Sequence, residues 1–361
     1  MHVRNAQTGQ PAVPAIKSAA LLTFAIPTFN RLECLRMLLG SLANQVAEIN
    51  MYANRVEVLV CDNASDDGTA AYLDGLALKN GLRVIHHPRN LGADANVIHC
   101  FEQAWGHYVW ICGDDDLPLP GVLQTVVDVL EQDAPDLLYL PAHWHPGDLG
   151  TYLAQSPAPG AIVLIGAMSL ALKANAYVTF LSSWVVRREA YQTYAKPPDA
   201  KRHAGSSLAQ LEWHLTLLAS APKLMTSTRQ WLIARSGNTG GYSVFDVFIT
   251  NYNRVVEDKL QGNVELRQFF RSFMLRGYLP GLIWGLRQGA VGDFGNLDRN
   301  RLHLTIAETW PHERLFTGVL KLLIDLPKPL ARAAYALSWL YCRIWLTWLA
   351  RRTEREERMH E

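Results

Sequence analysis

Asp114, Asp115 and Asp116 follow one another directly after the apolar run Tyr108-Val109-Trp110-Ile111-Cys112. Adjacent carboxylates at the end of a buried strand raise one another's pKa or require a positive charge among them. A hard, oxygen-seeking ion such as Mg²⁺ or Mn²⁺, itself shared with a diphosphate, meets that requirement. A solvated acidic turn capping the next helix is the plainer alternative. Three other polar segments also follow apolar runs: Pro27-Thr28-Phe29-Asn30-Arg31, Asp62-Asn63-Ala64-Ser65-Asp66-Asp67-Gly68-Thr69 and Pro88-Arg89-Asn90-Leu91-Gly92. For Asp66, Asp67 and Thr69, ordinary helix capping is a second explanation. The first of these segments has no GxGxxG and there is no Walker A loop, so a nucleotide here is held by side chains and metal, not by a glycine-rich phosphate cradle.

The elements that place these segments alternate. Strand patterns at Leu21 to Ile26, Val56 to Cys61, Arg83 to His86 and Tyr108 to Cys112 are separated by helical patterns at Arg31 to Gln45, Gly68 to Leu78 and Ala95 to Ala104. Such alternation implies an α/β fold with a parallel sheet covered on both faces, any ligand lying at the C-terminal ends of the strands. All four polar segments should therefore meet in one crevice. Further on, Val122 to Gln132 and Ser207 to Ala219 read as helices. Asp136 to Tyr139, Tyr177 to Arg187 and Trp231 to Ala234 read as strands, and the chain from Tyr242 onward is mostly helical. Residues 1–18 read as a loose tail.

Composition narrows the function. With 361 residues, 49% of them hydrophobic, the chain can bury one large core plus additions. A formal net charge of +1 supplies no field for nucleic acid, and no nucleic-acid-binding signature accompanies it. The five cysteines, Cys34, Cys61, Cys100, Cys112 and Cys342, are widely spaced and form no CxxC pair, which reads as reduced cytosolic thiols. The apolar run from Ala19 to Ile26 leads into a strand pattern, so no secretion is expected.

Taken in order, "IPTFNR", "VCDNASDDGT" and "HHPRNLGADANVIHCFEQAWGHYVWICGDDDLPLPGVL" resemble the family 2 glycosyltransferases of the GT-A fold, in the manner of bacterial O-antigen sugar transferases such as abequosyltransferases. The likeness runs from about Leu21 to Arg188. It implies a Rossmann-like domain binding a nucleotide-sugar donor, with Pro27, Thr28, Asn30 and Arg31 lining base and ribose and Asp62, beside Asn63, reading the nucleobase. Asp66 and Thr69 would organise the turn, and Arg89, Asn90, Gly92, Asp94 and Asn96 would close the other side of the donor pocket. The metal, Mn²⁺ or Mg²⁺, would be held by Asp114 and Asp116 if the motif is read D-x-D. It would be held by Asp115 and Asp116 if Pro120 is aligned with the family's proline after the motif. The resemblance also implies inversion at the anomeric carbon, which needs a base on the acceptor. The acidic pair that relatives carry at the start of an acceptor-side helix is absent here, leaving Glu212 as the leading base and Asp199, His203 and His214 behind it. Arg235, with the loop from Ser236 to Ser243, falls where relatives fold a segment over the diphosphate. Arg187 and Arg188 are weaker candidates for acceptor or phosphate contact.

From Arg314 to Arg352 the net charge is +6, and Tyr335, Trp339, Tyr341, Trp345 and Trp348 lie in the same stretch. Arg332, Arg343 and Arg351 interrupt any spanning segment. The pattern suits a helix lying on an anionic bilayer, or an amphipathic helix packed on its own domain or on a second subunit. The expected organisation is a tail (1–18), a GT-A catalytic domain (19–241, divided near residue 120 into donor and acceptor halves), a helical extension (242–313) and basic amphipathic helices (314–361). The expected partners are a nucleotide sugar and a glycan acceptor linked to polyprenyl diphosphate, at the cytoplasmic face of the inner membrane. A sugar nucleotidyltransferase would open with a glycine-rich basic loop, which is missing. A non-catalytic nucleotide- or glycan-binding assembly protein is the other reading.

Overall fold

The computed structural model describes residues 20–51, 54–80, 82–145, 160–235, 243–289 and 297–360, the side chains of 77–80 and 360 excepted. The expected tail and most of the loop after Arg235 lie outside the described residues.

An eight-stranded sheet forms the centre. It comprises β1 (Leu22–Thr28), β2 (Val56–Asp62), β3 (Arg83–His86), β4 (Tyr108–Ile111), β6 (Leu137–Tyr139), β8 (Ile162–Leu164), β9 (Trp184–Arg187) and β10 (Leu224–Ser227), in the order β3-β2-β1-β4-β9-β6-β10-β8. β1 is buried on both faces, so it carries a near-continuous apolar run. Pairing brings Thr28 level with Asp62, and Asp62 level with His86, along one edge. That edge is the C-terminal one, and β4 delivers Asp114 to Asp116 to it.

Helices α1 (Leu32–Ile49), α2 (Thr69–Asn80) and α4 (Val122–Gln132) contribute to one apolar core, in which Phe24 packs edge-on against Trp110. On the other face lie α3 (Ala93–Gln103), α5 (Ala167–Ala174), α6 (Arg188–Tyr194) and α7 (Leu211–Ser220). Their core runs without a break into the C-terminal helices α8 (Tyr252–Lys259), α9 (Val264–Phe273), α10 (Leu279–Arg287), α11 (Arg299–Thr309), α12 (Arg314–Asp325) and α13 (Lys328–His360). No helix among the described residues is long and apolar enough to cross a membrane.

The sheet is mixed, not parallel throughout. β9 runs antiparallel to β4 and β6, and β8 antiparallel to β10. The run from Tyr177 to Arg187, expected as one strand, is two 3₁₀ turns (Asn175–Thr179, Leu181–Ser183) followed by four strand residues. The chain thus enters β9 from the crevice edge. Ser182 arrives at the crevice, while Arg187, level with Tyr108, is carried to the opposite edge. There Arg187 pairs with Asp136 and Glu189, and Arg188 donates to the carbonyls of Ala104 and Gly106. The two arginines are therefore bound to the far end of the sheet and do not serve the crevice.

A second sheet joins β5 (Leu117–Pro118), β7 (Ala142–His145) and β11 (Leu232–Arg235) in the order β5-β11-β7. Leu232 pairs with Pro118 and Ile233 with Leu117, a register that draws Arg235 beside Asp116.

Candidate functional site

The first two loops are tied to each other before any ligand is considered. The Asn30 N–H donates to Ser65 Oγ (2.9 Å), and Asn30 Oδ1 accepts from the Asp66 N–H (2.9 Å). Asp67 accepts from the Leu32 N–H at the start of α1 and from the N–H and hydroxyl of Thr69 at the start of α2. One carboxylate caps two helices. The expected turn organiser Asp66 is exposed, and its neighbour Asp67 does that work with Thr69. Asn30 and Ala64 hold positive φ angles of 51° and 65°, a costly conformation for residues with a Cβ that recurs at functional loops.

Asp62 is buried. One oxygen accepts from the Ser65 N–H (3.1 Å), and the other lies 2.9 Å from His86 Nδ1. The second ring nitrogen of His86 lies 3.1 Å from Asp74 Oδ1. Burial works against the charge on His86, but the carboxylates of Asp62 and Asp74 outweigh it and raise the imidazole pKa. Asn63 donates to Asn90 Oδ1 and to the Gly92 carbonyl and accepts from the Leu91 N–H, so the second and third loops are joined. Gly92 starts α3 at a φ of +89°, where a Cβ would be strained. Asn96, buried within α3, donates to the carbonyls of Cys61 and Thr28 and lies 3.1 Å from His87 Nε2. Asp94 accepts from the Ser207 and Ala209 N–H groups and so ties α3 to the loop before α7. Arg89 is exposed beside Asn90, and Pro27 is half-buried in β1.

The aspartates divide. Asp114 accepts from Thr28 Oγ1 (2.7 Å) and from Arg31 (3.1 Å), and Arg31 also reaches Asp115 at 3.1 Å. Asp116 accepts from Ser182 Oγ, which in turn accepts from the Gly113 N–H, and from the Arg235 backbone N–H. Burial pushes the Asp114 carboxyl up to about 6, against the pull of Arg31 and Thr28. Burial and then the neighbouring Asp115 charge push Asp116 up to about 8. Both carboxyls thus sit where the charged form is disfavoured unless a cation is supplied. A Cβ built on Gly113 would lie 3.1 Å from Asp116 Oδ2, 3.3 Å from Asp115 Oδ1 and 3.5 Å from Ser182 Oγ. Oxygens of Asp115 and Asp116 therefore converge on one small space that only glycine leaves open. Asp114 is turned away towards Thr28 and Arg31.

The donors in this space fit a hard divalent cation, as a partial shell. Among the described residues no three His, Cys, Asp or Glu side chains are arranged to hold a metal, so further oxygens would come from the ligand. Arg235 Nε is buried without a hydrogen-bond partner among the described residues, near Cys34 and Asp116.

The acceptor-side candidates sit elsewhere. Glu212 is fully buried in α7, with Lys259 Nζ at 2.6 Å, Tyr191 OH at 3.3 Å and His203 Nε2 at 3.3 Å. His203 is also 3.3 Å from Asp258. Burial raises the Glu212 carboxyl against the pull of Lys259. His214 is buried against Trp184, Nδ1 donating to the Val178 carbonyl, and burial holds its pKa down at about 3. A ring with that pKa is a poor proton acceptor near neutrality. Asp199 is exposed and accepts from the Lys201 N–H. Gln210, just before α7, donates to the Thr179 carbonyl. The sequence reading missed Ser182, whose place depends on the reversed direction of β9, and His86, which stands in the "HHP" segment but was given no role.

Residues 23–195 match the model of glycosyl transferase family 2. Among curated relatives, abequosyltransferase RfbV of Salmonella typhimurium is 37% identical over 113 residues, which is 30% of this chain and 33% of that protein. The match thus spans about a third of the curated relative's length. Among solved structures, S. aureus TarS 1-349 in complex with UDP-GlcNAc superimposes with a TM-score of 0.58 at 17% identity, covering 89% of this chain and 91% of that one. The longer S. aureus TarS structure gives 0.55 at 16% identity, covering 88% and 54%. The likeness to family 2 over this segment and the GT-A-like α/β fold with a helical C-terminal region, both expected, are borne out.

Proposed function

We propose that the chain is an inverting, metal-assisted glycosyltransferase that moves a sugar from a nucleotide-sugar donor to a glycan acceptor in the synthesis of O-antigen or another surface polysaccharide. The observation that carries this reading is the convergence of Asp115 and Asp116 oxygens beside Gly113, at the strand edge shared with Asp62 and Thr28. In this reading Asp62 accepts a hydrogen bond from the nucleobase, while Pro27, Thr28, Asn30 and Arg31 line base and ribose. Asn63, Asp66, Arg89, Asn90, Gly92, Asp94 and Asn96 shape the opposite wall.

Asp115 and Asp116 would hold Mn²⁺ or Mg²⁺, which when bound stabilises charge on a departing diphosphate. Arg31 anchors Asp114 and Asp115, and the Nε of Arg235, unpartnered among the described residues, suits a phosphate oxygen. Of the named bases, Glu212 is committed to Lys259, His203 is buried between Glu212 and Asp258 with its pKa lowered by burial, and His214 is held neutral and barely basic. We therefore assign the acceptor proton to the exposed carboxylate of Asp199. The acceptor glycan is carried on polyprenyl diphosphate, which places the reaction at the cytoplasmic face of the inner membrane.

The test is release of nucleoside diphosphate from a panel of UDP-, GDP-, CDP- and dTDP-sugars, with Mn²⁺ and lipid-linked glycans as acceptor. Acceptor-dependent release with one donor, and product of opposite anomeric configuration, is expected. Binding without release would favour the non-catalytic reading.

A further inference from the structure

Helix α13 has two apolar faces, and the chain covers only one. On the inner face Ala331, Ser338, Cys342, Leu349 and Thr353 are buried, with Tyr335 stacked on Trp284 and Trp345 on Phe269. On the outer face Leu330, Leu337, Tyr341, Ile344 and Trp348 follow helical spacing and form one stripe. These outer side chains are 42% to 69% exposed. Helix α12 adds exposed Leu315 and Leu322, and the contact of Phe316 with Tyr341 sets the two helices side by side.

Charge selects the occupant. No Asp or Glu occurs between Leu326 and Thr353, whereas Lys328, Arg332, Arg343 and Arg351 are exposed there, and Lys321 is exposed on α12. Arg343 lies over the ring of Trp339, an amphipathic pair suited to a polar–apolar boundary. A second copy docked through the same face would bring these cations together with no acid from that stretch to answer them. An anionic lipid surface answers both the apolar stripe and the charge.

We propose that the outer face of α12 and α13 lies in the interface of an anionic bilayer, with Leu337, Tyr341, Ile344 and Trp348 at the headgroup–acyl boundary and Lys321, Lys328, Arg332, Arg343 and Arg351 among the lipid phosphates. This rests on the lipid-linked acceptor reading for its purpose, but its test uses no sugar transfer.

The full chain is floated with phosphatidylcholine vesicles with and without phosphatidylglycerol, at low and high salt. Binding only to the anionic vesicles, lost at high salt, is expected. The double substitution Ile344→Glu with Trp348→Glu should cut vesicle partitioning by more than about tenfold, and Arg332→Ala and Arg343→Ala by roughly fivefold each. All four positions are exposed, so thermal midpoints and nucleoside-diphosphate binding should not move. Failure of the wild type to bind anionic vesicles, or wild-type partitioning by the double variant, would overturn the proposal. So would a light-scattering dimer that the double variant converts to monomer. Vesicle binding without any nucleotide response would instead leave this proposal standing and overturn the glycosyltransferase reading.

Discussion

The buried charged residues around Glu212 and those at the ends of β1 and β4 are balanced differently. Beside Glu212 the chain supplies a cation and a donor, the Lys259 ammonium at 2.6 Å and the Tyr191 hydroxyl at 3.3 Å. That cluster joins α7 to α8 and fixes the helical extension to the sheet. At the ends of β1 and β4, Arg31 pairs with Asp114 and Asp115, and the buried carboxyls of Asp114 and Asp116 are driven up to about 6 and about 8. A balanced cluster holds elements together. An unbalanced one, kept buried at a strand edge, is a place for a cation from outside.

The sharpest way to break this comparison is to exchange the two phenotypes. Asp116→Ala should lower kcat/KM for sugar transfer by about a thousandfold or more, read by nucleoside-diphosphate release. Asp116→Asn should also raise the thermal midpoint of the ligand-free protein at pH 8, by roughly 2–4 °C. The sign follows from linkage. The folded pKa of Asp116 is raised, so the unfolded chain releases that proton first, and stability falls as pH climbs from about 4 towards the folded value of about 8. The neutral amide escapes that loss.

Glu212→Ala should do the reverse. Removing it leaves Lys259 buried without its carboxylate, a loss of about 3–5 kcal/mol in denaturant unfolding. Donor binding by the folded fraction should be unchanged. If Glu212→Gln instead abolished transfer with stability intact, the assignment of that cluster to packing would fail.

Ser182→Ala removes a hydrogen bond to Asp116 and one from Gly113, and should cost about tenfold in kcat/KM with a KM for metal that rises. A smaller, few-fold effect is expected from His86. Its folded pKa is raised by Asp62 and Asp74, so its stabilising contribution is fully present below about 6.5 and fades as pH rises through the folded value. In wild type, stability measured from pH 6 to 9 should carry this loss, and His86→Gln should flatten it.

Much of the donor side was legible because its signals are local. β1, β2, β3 and β4 are short apolar runs ending in polar segments, and α1 and α3 between them each carry an apolar stripe. Strand direction is not local. Nothing in Tyr177 to Arg187 signals that it enters the sheet backwards, so Ser182 was missed, and Arg187 and Arg188 stood as candidates for a contact at the edge opposite to the one they occupy. The acceptor side was hard for a related reason. Glu212 is a good candidate in isolation, and its commitment to Lys259 depends on a residue 47 positions away. The C-terminal helices showed their basic and aromatic character in the sequence, but which apolar face they bury is decided by α9 and α10.

The most direct test of the central claim is calorimetric titration of UDP, GDP, CDP and dTDP into the wild type and into Asp116→Asn, each with and without Mn²⁺. One nucleotide should bind the wild type at least about tenfold more tightly with Mn²⁺ than without, and the variant should show no such gain. Equal Mn²⁺ dependence in the two proteins, or binding that ignores the metal in both, would contradict the assignment of the unbalanced aspartates to a metal–diphosphate site.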